Sequence, residues 1–412
     1  MQEKFSFQMS IQSGHGEKTE VRTWDGVLCR VRPPGRASRR GAPPPARLRA
    51  AALSCRHCPI PPGAAKETNL TEPSGPQGKT DTWLLCEVLW RTLYFLVGGA
   101  ILFEKQQEDK TVTKQEFEAL VARGPVLLDG AMGSNLLERG MPKGALSELW
   151  ADRHPETVLE LQAAYAAAGS RILYAPTFQA QPEALAQAGW TGDVGALNAR
   201  LVALTRRAAG ADTLVAGDLA TMAGCLESWN PENFHRMTDR YRRQIGGLLE
   251  GGADLLVAET LLYPQEAEAV LLAAELEGGD LPVLYSFTMQ PDGALFSGQE
   301  AGPVLRELEE AGAAAVGFNC VAAGPALPAL VSKLRRYVRG PLVSKPNAGN
   351  PTVSPEGRVV YPMGPEEFAR LQAEACRMGA GLLGGCCGTT PAYLSALRDR
   401  LAAEGLAPAH RT

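Results

Sequence analysis

Residues 113–405 are predicted to form a (β/α)8 TIM barrel, and three observations lead to this fold class. Short runs rich in valine and leucine alternate with longer Ala/Leu/Glu-rich amphipathic stretches, which is the pattern of parallel βα units. Eight such units occur, as a barrel of about 250 residues requires. Several helical stretches end in glycine just before the next run, as helix C-caps do. A doubly wound open sheet is the alternative, because a sequence cannot show closure.

The predicted elements follow one another regularly along the chain. In order, the eight predicted strands are 125–129, 171–175, 213–217, 254–258, 282–287, 314–318, 341–344 and 381–384. A helical segment follows each strand, and the clearest segments are 232–250, 265–277, 302–311 and 365–378. Eight βα units in about 290 residues fit a (β/α)8 barrel.

Residues 1–112 differ from the barrel in composition and are predicted to be poorly ordered. Residues 30–56 hold eight arginines, no lysine and no carboxylate in a Pro/Ala/Gly-rich background without helical or strand periodicity. An arginine-rich arm could bind nucleic acid or act as a transit peptide, but Glu3, Glu17 and Glu20 precede it and transit peptides avoid acids. The segment could also be an artefact of an upstream start-site assignment. Cys55 and Cys58 have the spacing of a metal half-site, but no second pair lies at a suitable distance, which favours a chance pair.

The segment 83–103 is apolar and long enough to span a bilayer. Glu87 and Arg91 fall inside it. A charge at the centre of a spanning helix costs about 2.5–3.5 kcal/mol on insertion scales. We therefore expect no stable membrane span here.

Charge and cysteine content narrow the classes of partner and compartment. The formal net charge of −4 does not build the positive field that nucleic-acid binding needs, so no nucleic acid partner is expected. Nine cysteines, an odd number scattered over the chain, do not indicate a disulfide framework. The N-terminus shows no secretory signal. We expect a cytoplasmic protein whose thiols stay reduced.

Polar residues follow nearly every predicted strand, at the end where a barrel carries its chemistry. These residues are Asp129-Gly130, Thr177, Asp218, Glu259-Thr260, Asn319-Cys320, Lys345-Pro346-Asn347 and Cys386-Cys387. A random placement of polar groups would not put an acid, amide or thiol at so many of the strand ends. We expect these residues to converge on one mouth.

Cys320, Cys386 and Cys387 are predicted to bind one metal ion. Cys320 follows the sixth strand and the other two follow the eighth, so all three can meet at the mouth. Three thiolates suit Zn²⁺ and leave a fourth coordination position open, as in catalytic zinc sites. The alternative is three buried free cysteines. Cys225 and Cys376 lie away from the strand ends and are predicted to be packing residues.

An open zinc site of this kind deprotonates a thiol that enters the fourth position. Asp129 and Glu259 could hold an ammonium group on the same substrate, while Thr177 and Asn347 could bind its other polar groups. The alternative for each carboxylate is a structural hydrogen bond near the barrel rim.

Six segments together resemble the homocysteine S-methyltransferase family over about 121–401. They are LLDGAMGSNLLERG at 127–140, APTFQA at 175–180, VAET at 257–260, GFNC at 317–320, KPNAG at 345–349 and GGCCGT at 384–389. The resemblance implies a zinc-bearing barrel with one Zn²⁺ per chain on Cys320, Cys386 and Cys387. It also implies that Asp129, Gly130 and Glu259 bind the amino acid part of homocysteine.

The implied reaction is attack of the zinc-bound homocysteine thiolate on an activated methyl group, giving methionine without a protein nucleophile. The segment that begins with DGAMG at Asp129 and the KPNAGNP segment that begins at Lys345 look closest to the homocysteine module of cobalamin-dependent methionine synthase. Because the chain ends at Thr412, we expect any corrinoid to be carried by a partner protein. A methyl sulfonium is the other candidate donor. Betaine is less favoured, since the matched loops show no aromatic cage for a quaternary ammonium.

Two other functions stay open from the sequence. One is methyl transfer to another thiol or selenol, against which the acids Asp129 and Glu259 argue when the acceptor carries a sulfonate. The other is a zinc- or thiol-binding barrel without catalysis, which would bind zinc and form no methionine.

Overall fold

The computed structural model describes residues 9–12, 18–21, 112–222, 224, 229–355 and 359–409. The arginine-rich segment, the Cys55–Cys58 pair, the apolar segment 83–103 and Cys225 lie outside these residues. Strands β1 (Met9–Gln12) and β2 (Lys18–Val21) form an antiparallel pair in which Met9 lies opposite Val21. None of the helices in the described part of the chain is long and apolar enough to cross a membrane.

Alternating strands and helices make up residues 114–403. The strands are β3 (Val126–Leu127), β4 (Ile172–Tyr174), β5 (Leu214–Ala220), β6 (Leu255–Leu261), β7 (Val283–Phe287), β8 (Ala315–Ala322), β9 (Leu342–Asn347), β10 (Thr352–Val353), β11 (Val359–Val360) and β12 (Leu382–Leu383). The helices are α1 (Lys114–Val121), α2 (Gly133–Glu138), α3 (Ser147–Arg153), α4 (Pro155–Ala168), α5 (Pro182–Gln187), α6 (Val194–Ala208), α7 (Pro231–Glu250), α8 (Pro264–Gly278), α9 (Ala301–Glu310), α10 (Leu327–Arg335), α11 (Pro365–Arg377) and α12 (Pro391–Ala403).

Eight parallel strands form the barrel in the order β3-β12-β9-β8-β7-β6-β5-β4. A parallel bridge between Leu128 and Ile172 joins the two ends of this order, and the Arg171 amide donates to the Leu127 carbonyl at 2.7 Å. The sheet is therefore closed, which confirms the (β/α)8 TIM barrel and excludes the open sheet. The short pair β10–β11 lies in the connection after β9.

Two apolar cores follow from the alternation of side chains along each strand. The outer core packs strand residues such as Leu127 and Val316 against helix residues such as Leu161 and Ile245. The inner core holds the residues of opposite parity: Val126, Leu128, Ile172, Tyr174, Leu214, Ala216, Leu255, Val257, Leu284, Ala315, Val343 and Leu382. Phe117 and Leu120 of α1 belong to the same inner cluster, so this helix covers the end of the barrel at which the strands begin.

Four strands run further than the sequence predicts. The predicted ends at 217, 258, 318 and 344 become Ala220, Leu261, Ala322 and Asn347. Asp218, Glu259, Asn319, Cys320, Lys345 and Asn347 therefore lie inside strands rather than beyond them. The prediction of strand ends was wrong here because it stopped where the apolar run stopped, whereas parallel hydrogen bonding between the backbones continues through the polar residues.

Successive side chains of a strand point to opposite faces, and this alternation places four polar residues on the inner surface of the barrel. Continuing past the apolar inner layer, the inward positions are Asp218 in β5, Glu259 in β6, Asn319 in β8 and Lys345 in β9. All four are buried. The upper end of the barrel is therefore a buried polar layer resting on an apolar one.

Candidate metal centre and substrate site

Cys320, Cys386 and Cys387 come together at the mouth of the barrel. Their sulfur atoms all lie within 4.8 Å of one another, and Cys387 Sγ is 4.0 Å from both Cys320 Sγ and Cys386 Sγ. Two thiolates on one tetrahedral zinc, with Zn–S bonds of about 2.3 Å, stand roughly 3.8 Å apart. All three cysteines are free thiols. The spacing fits three ligands of one metal ion.

The loop after β12 turns two neighbouring cysteines towards the same point. The Cys386 amide donates to the Pro346 carbonyl at 2.7 Å, and the Cys387 amide donates to Asn347 Oδ1 at 3.0 Å. Gly388 follows with φ of +80°, a left-handed conformation that favours glycine. The sharp turn at Gly388, held to β9 by these hydrogen bonds, lets adjacent thiols face one centre.

A bulge in β8 directs Cys320 to the same centre. The pairing of β8 with β9 shifts between Asn319 and Ala322, and Cys320 has φ of +56°. In a regular strand the side chain of Cys320 would point outwards, because its neighbour Asn319 points inwards. The bulge changes that direction, as bulges near active sites do. Asn347 Nδ2 donates to the Cys320 carbonyl at 3.2 Å and holds the distorted segment.

Asn319 connects this centre to β6 and β7. Its Oδ1 accepts from the Thr260 amide at 2.8 Å and from Ser286 Oγ at 3.0 Å, while its Nδ2 donates to Thr260 Oγ1 at 2.7 Å. Nδ2 also lies 3.9 Å from Cys386 Sγ. Thr260 has φ of +58° and sits at the bulge of β6. One amide side chain therefore stabilises an uncommon backbone conformation and reaches a thiol.

The three thiols share hydrogen bonds, so their ionisation is linked. Contacts with Cys320 and Cys386 lower the pKa of Cys387 to about 3, while contacts with Cys386 and Cys387 raise the pKa of Cys320. These contacts thus make the Cys387 thiol more acidic and the Cys320 thiol less acidic than an ordinary cysteine. Cys376, in α11, packs against the outer core, and burial raises its pKa to about 11.

Asp129, Glu259 and Lys345 form a buried ionic cluster beside the cysteines. Lys345 Nζ lies 3.6 Å from Asp129 Oδ1, 3.5 Å from Glu259 Oε2 and 4.3 Å from the centre of the Tyr174 ring. The exposed fractions of the three charged residues are 2%, 7% and 3%. Asp129 Oδ2 also accepts from the Tyr174 amide at 2.8 Å. The two acids that the sequence predicts for a substrate ammonium are thus brought together.

Burial dominates the ionisation of this cluster. Burial, partly offset by Lys345, raises the pKa of both Asp129 and Glu259 to about 7. Burial lowers the pKa of Lys345, but attraction to Glu259 and Asp129 outweighs it and holds that pKa well above its usual value. The lysine therefore stays protonated, and the acids change charge near neutral pH.

The other predicted substrate residues hold parts of the protein. Thr177 Oγ1 donates to the Asp218 carbonyl at 2.9 Å and accepts from the Asp218 amide at 3.0 Å. Asn347 bonds the backbone of Cys320 and Cys387, as described above. A Cβ on Gly130 would lie 2.5 Å from Tyr165 Oη and 2.8 Å from Thr389 Oγ1, so only glycine fits there. Their contacts with substrate stay predictions.

Asp218, Asn319 and Lys345 were not among the predicted site residues. Asp218 Oδ1 is buried without a hydrogen-bond partner, and burial followed by the charge of Glu259 raises the pKa of Asp218 well above its usual value. All three residues stood in the list of polar groups after predicted strands. The alternation of side chains along each strand could have identified them, because each lies two residues after an inward-facing position of its strand.

The sequence profile of the homocysteine S-methyltransferase family matches residues 126–401. The chain is similar to the methionine synthase of Mycobacterium leprae, with 29% identity over 287 residues that cover 65% of this chain and 23% of that protein. It is also similar to the methionine synthase of Mycobacterium tuberculosis, with 28% identity over 307 residues that cover 69% of this chain and 25% of that protein. The chain thus spans about a quarter of the length of these relatives.

Among solved structures, the homocysteine methyltransferase MmuM from Escherichia coli in its metallated form superposes with a TM-score of 0.59 and 27% identity. The superposition covers 69% of this chain and 99% of that one. The family profile extends from β3 to α12 and so contains the barrel strands and all three clustered cysteines. The chain belongs to the homocysteine S-methyltransferase family.

Proposed function

We propose that this protein is a zinc-dependent methyltransferase that moves a methyl group from an activated donor to the thiol of homocysteine, giving methionine. The observation that carries the proposal is the joint presence of three free thiols, with sulfur atoms 4.0 Å apart in two pairs, and a buried pair of acids at one barrel mouth. A thiol-binding centre next to an ammonium-binding pair suits an amino acid that ends in a thiol.

The residues present fit one zinc ion per chain. Cys320, Cys386 and Cys387 supply sulfur, the ligand that zinc favours, at a spacing compatible with tetrahedral coordination. Bound zinc supplies a positive charge that keeps a thiol deprotonated near neutral pH. Asn319, Asn347 and the carbonyl of Pro346 hold the three cysteines in place. A reducing compartment such as the cytoplasm would keep these thiols free.

Binding of the amino acid end of the substrate rests on the acids. Asp129 Oδ1 and Glu259 Oε2 are buried and have no hydrogen-bond partner, so both can accept from an ammonium group. Hydrogen bonds between ionised groups are about twice as strong as neutral ones. Gly130 follows Asp129 and packs closely against Tyr165 and Thr389. We assign Gly130, Thr177 and Asn347 to the wall of the substrate site.

The reaction needs little from the protein beyond alignment. The thiol loses its proton to solvent, its sulfur forms a bond to the methyl carbon, and the bond between that carbon and the donor breaks with its electron pair leaving on the donor. No side chain has to act as a nucleophile. Holding both reactants in line is worth a large part of the barrier in such transfers.

The donor is either a methyl-corrinoid carried by a partner protein or a methyl sulfonium. Similarity to two methionine synthases supports the corrinoid, but it covers only 23% and 25% of those proteins. Similarity to a homocysteine methyltransferase, 99% of which the superposition covers, supports a methyl sulfonium equally well. We favour the corrinoid slightly, and the two donors are separated directly by assay.

The test is the zinc content of the full chain measured by plasma mass spectrometry, followed by methionine formation with methylcobalamin or S-methylmethionine. We expect about one zinc per chain in the wild type and its loss in Cys320→Ser. Cys376→Ser is the matched control, because this cysteine lies in α11 away from the cluster, and it should keep both zinc and activity. A folded wild type without zinc, or with zinc but without methionine from either donor, would refute the proposal.

A further inference from the structure

The proposed function gives no role to Lys345, a buried lysine at the mouth of the barrel. Lys345 is the one buried cation among the described residues. All other buried charged side chains in the described part of the chain are acids: Asp129, Glu148, Asp218, Asp254, Glu259 and Glu266. Its ammonium lies between Asp129 and Glu259, the two acids assigned to the ammonium of the substrate. The lysine and the substrate therefore compete for the same pair of carboxylates.

The contacts of Lys345 with these acids are loose. The distances of 3.6 Å and 3.5 Å exceed the usual hydrogen-bond range of about 2.7–3.2 Å. Asp129 Oδ1 and Glu259 Oε2, the two oxygens that face it, have no hydrogen-bond partner. The Tyr174 ring at 4.3 Å offers a weaker cation–π contact on another side. The donors of Lys345 are thus available to a better-placed acceptor.

The negative charge of the mouth raises the question of how the carboxylate of an amino acid could bind there. Besides Asp129 and Glu259, Asp218 lies on the same inner surface with an unpaired buried oxygen. An amino acid whose ammonium meets Asp129 and Glu259 brings its carboxylate, attached to the same carbon, close to these acids. Like charges in a poorly solvated site repel strongly. A cation facing that carboxylate would offset this repulsion, and Lys345 is the buried cation that contacts both acids.

We propose that Lys345 binds the α-carboxylate of the substrate, while the substrate ammonium replaces it between Asp129 and Glu259. This inference rests on the proposed function and adds to it a residue that determines substrate class. Ion pairs are exchanged rather than lost, because one ammonium takes the place of another and the freed lysine gains a carboxylate. The mouth then selects thiols that carry both groups of an amino acid over simple amino thiols.

The experiment compares two thiols that differ only in the carboxylate. Homocysteine and 3-aminopropane-1-thiol are titrated calorimetrically into the full-length zinc-loaded protein, as wild type and as Lys345→Met. Lys114→Met is the matched control, since Lys114 lies in α1 at the opposite end of the barrel. We expect Lys345→Met to bind homocysteine about 30-fold more weakly and the amino thiol at most about threefold more weakly. Equal losses for both thiols, or no loss for homocysteine, would overturn the inference.

A second measurement needs no variant and covers the case in which Lys345→Met does not fold. Homocysteine amide, which keeps the ammonium and thiol but lacks the carboxylate charge, should bind the wild type about 30-fold more weakly than homocysteine. Equal affinity would overturn the inference. Methyl transfer is tested separately from binding. A wild-type protein that shows this binding pattern but methylates homocysteine with neither donor would refute the proposed methyl transfer and leave the role of Lys345 intact.

Discussion

Replacing Asn319 with leucine should weaken the metal centre and destabilise the barrel. Leucine has a similar size but cannot bond the Thr260 amide, Ser286 Oγ or Cys386 Sγ, which Asn319 contacts at 2.8, 3.0 and 3.9 Å. Two donors, the partly buried Thr260 amide and the buried Ser286 hydroxyl, would lose their acceptor at about 1–3 kcal/mol each, so the free energy of unfolding should fall by roughly 2–6 kcal/mol. Thr260 would also lose support for its left-handed conformation.

The zinc affinity of Asn319→Leu should fall by about 10- to 100-fold, the usual effect of removing a group that orients a metal ligand. Affinity is measured by competition with a chelator at fixed pH, and folding by circular dichroism. Ser286→Ala is the matched control, because it removes one hydrogen bond to Asn319 and no contact to a thiol. It should cost about 1 kcal/mol of stability and change zinc affinity less than about threefold. A folded Asn319→Leu protein with wild-type zinc affinity would show that Asn319 does not position Cys320 or Cys386.

Three further predictions concern the acids, the glycine beside them and the N-terminal segment. Since burial raises the pKa of Asp129 and Glu259 to about 7, both are more ionised as the pH rises from about 6 to about 8. Calorimetric binding of methionine, which has no thiol, should tighten over that range and depend less on pH in Glu259→Gln, where only Asp129 still titrates; a flat wild-type profile would contradict the assignment. Gly130→Ala forces a Cβ within 2.5 Å of Tyr165 Oη and should lower stability by about 1–3 kcal/mol in urea unfolding, whereas Gly133→Ala, with nothing within 4 Å, should not. Deleting residues 1–111, which stops before the buried Val112, should leave the melting temperature and methyl transfer unchanged; a large loss of turnover would give that segment a function.

The fold class could be predicted from local features of the sequence. All eight predicted strands are present, and predicted helices such as 232–250 and 365–378 differ from α7 and α11 by one residue at one end. Alternation of apolar runs, amphipathic stretches and glycine caps depends only on near neighbours in the chain, so it can be read without coordinates. The prediction that the cysteines bind metal also rests on local information, because the chemistry of the thiolate belongs to the residue itself.

The arrangement of the site was decided by contacts between distant parts of the chain. Strand ends were misjudged because backbone pairing with a neighbouring strand, rather than hydrophobicity, decides where a parallel strand stops. The turn of Cys320 towards the other two thiols comes from a bulge in β8 that no local pattern announces. Lys345 meets Asp129 and Glu259 only because closure brings β3, β6 and β9 to one mouth. The sequence by itself determined which chemical groups are available and on which units they lie; tertiary structure alone decided their distances, burial and charge, since these depend on neighbours far apart in the chain.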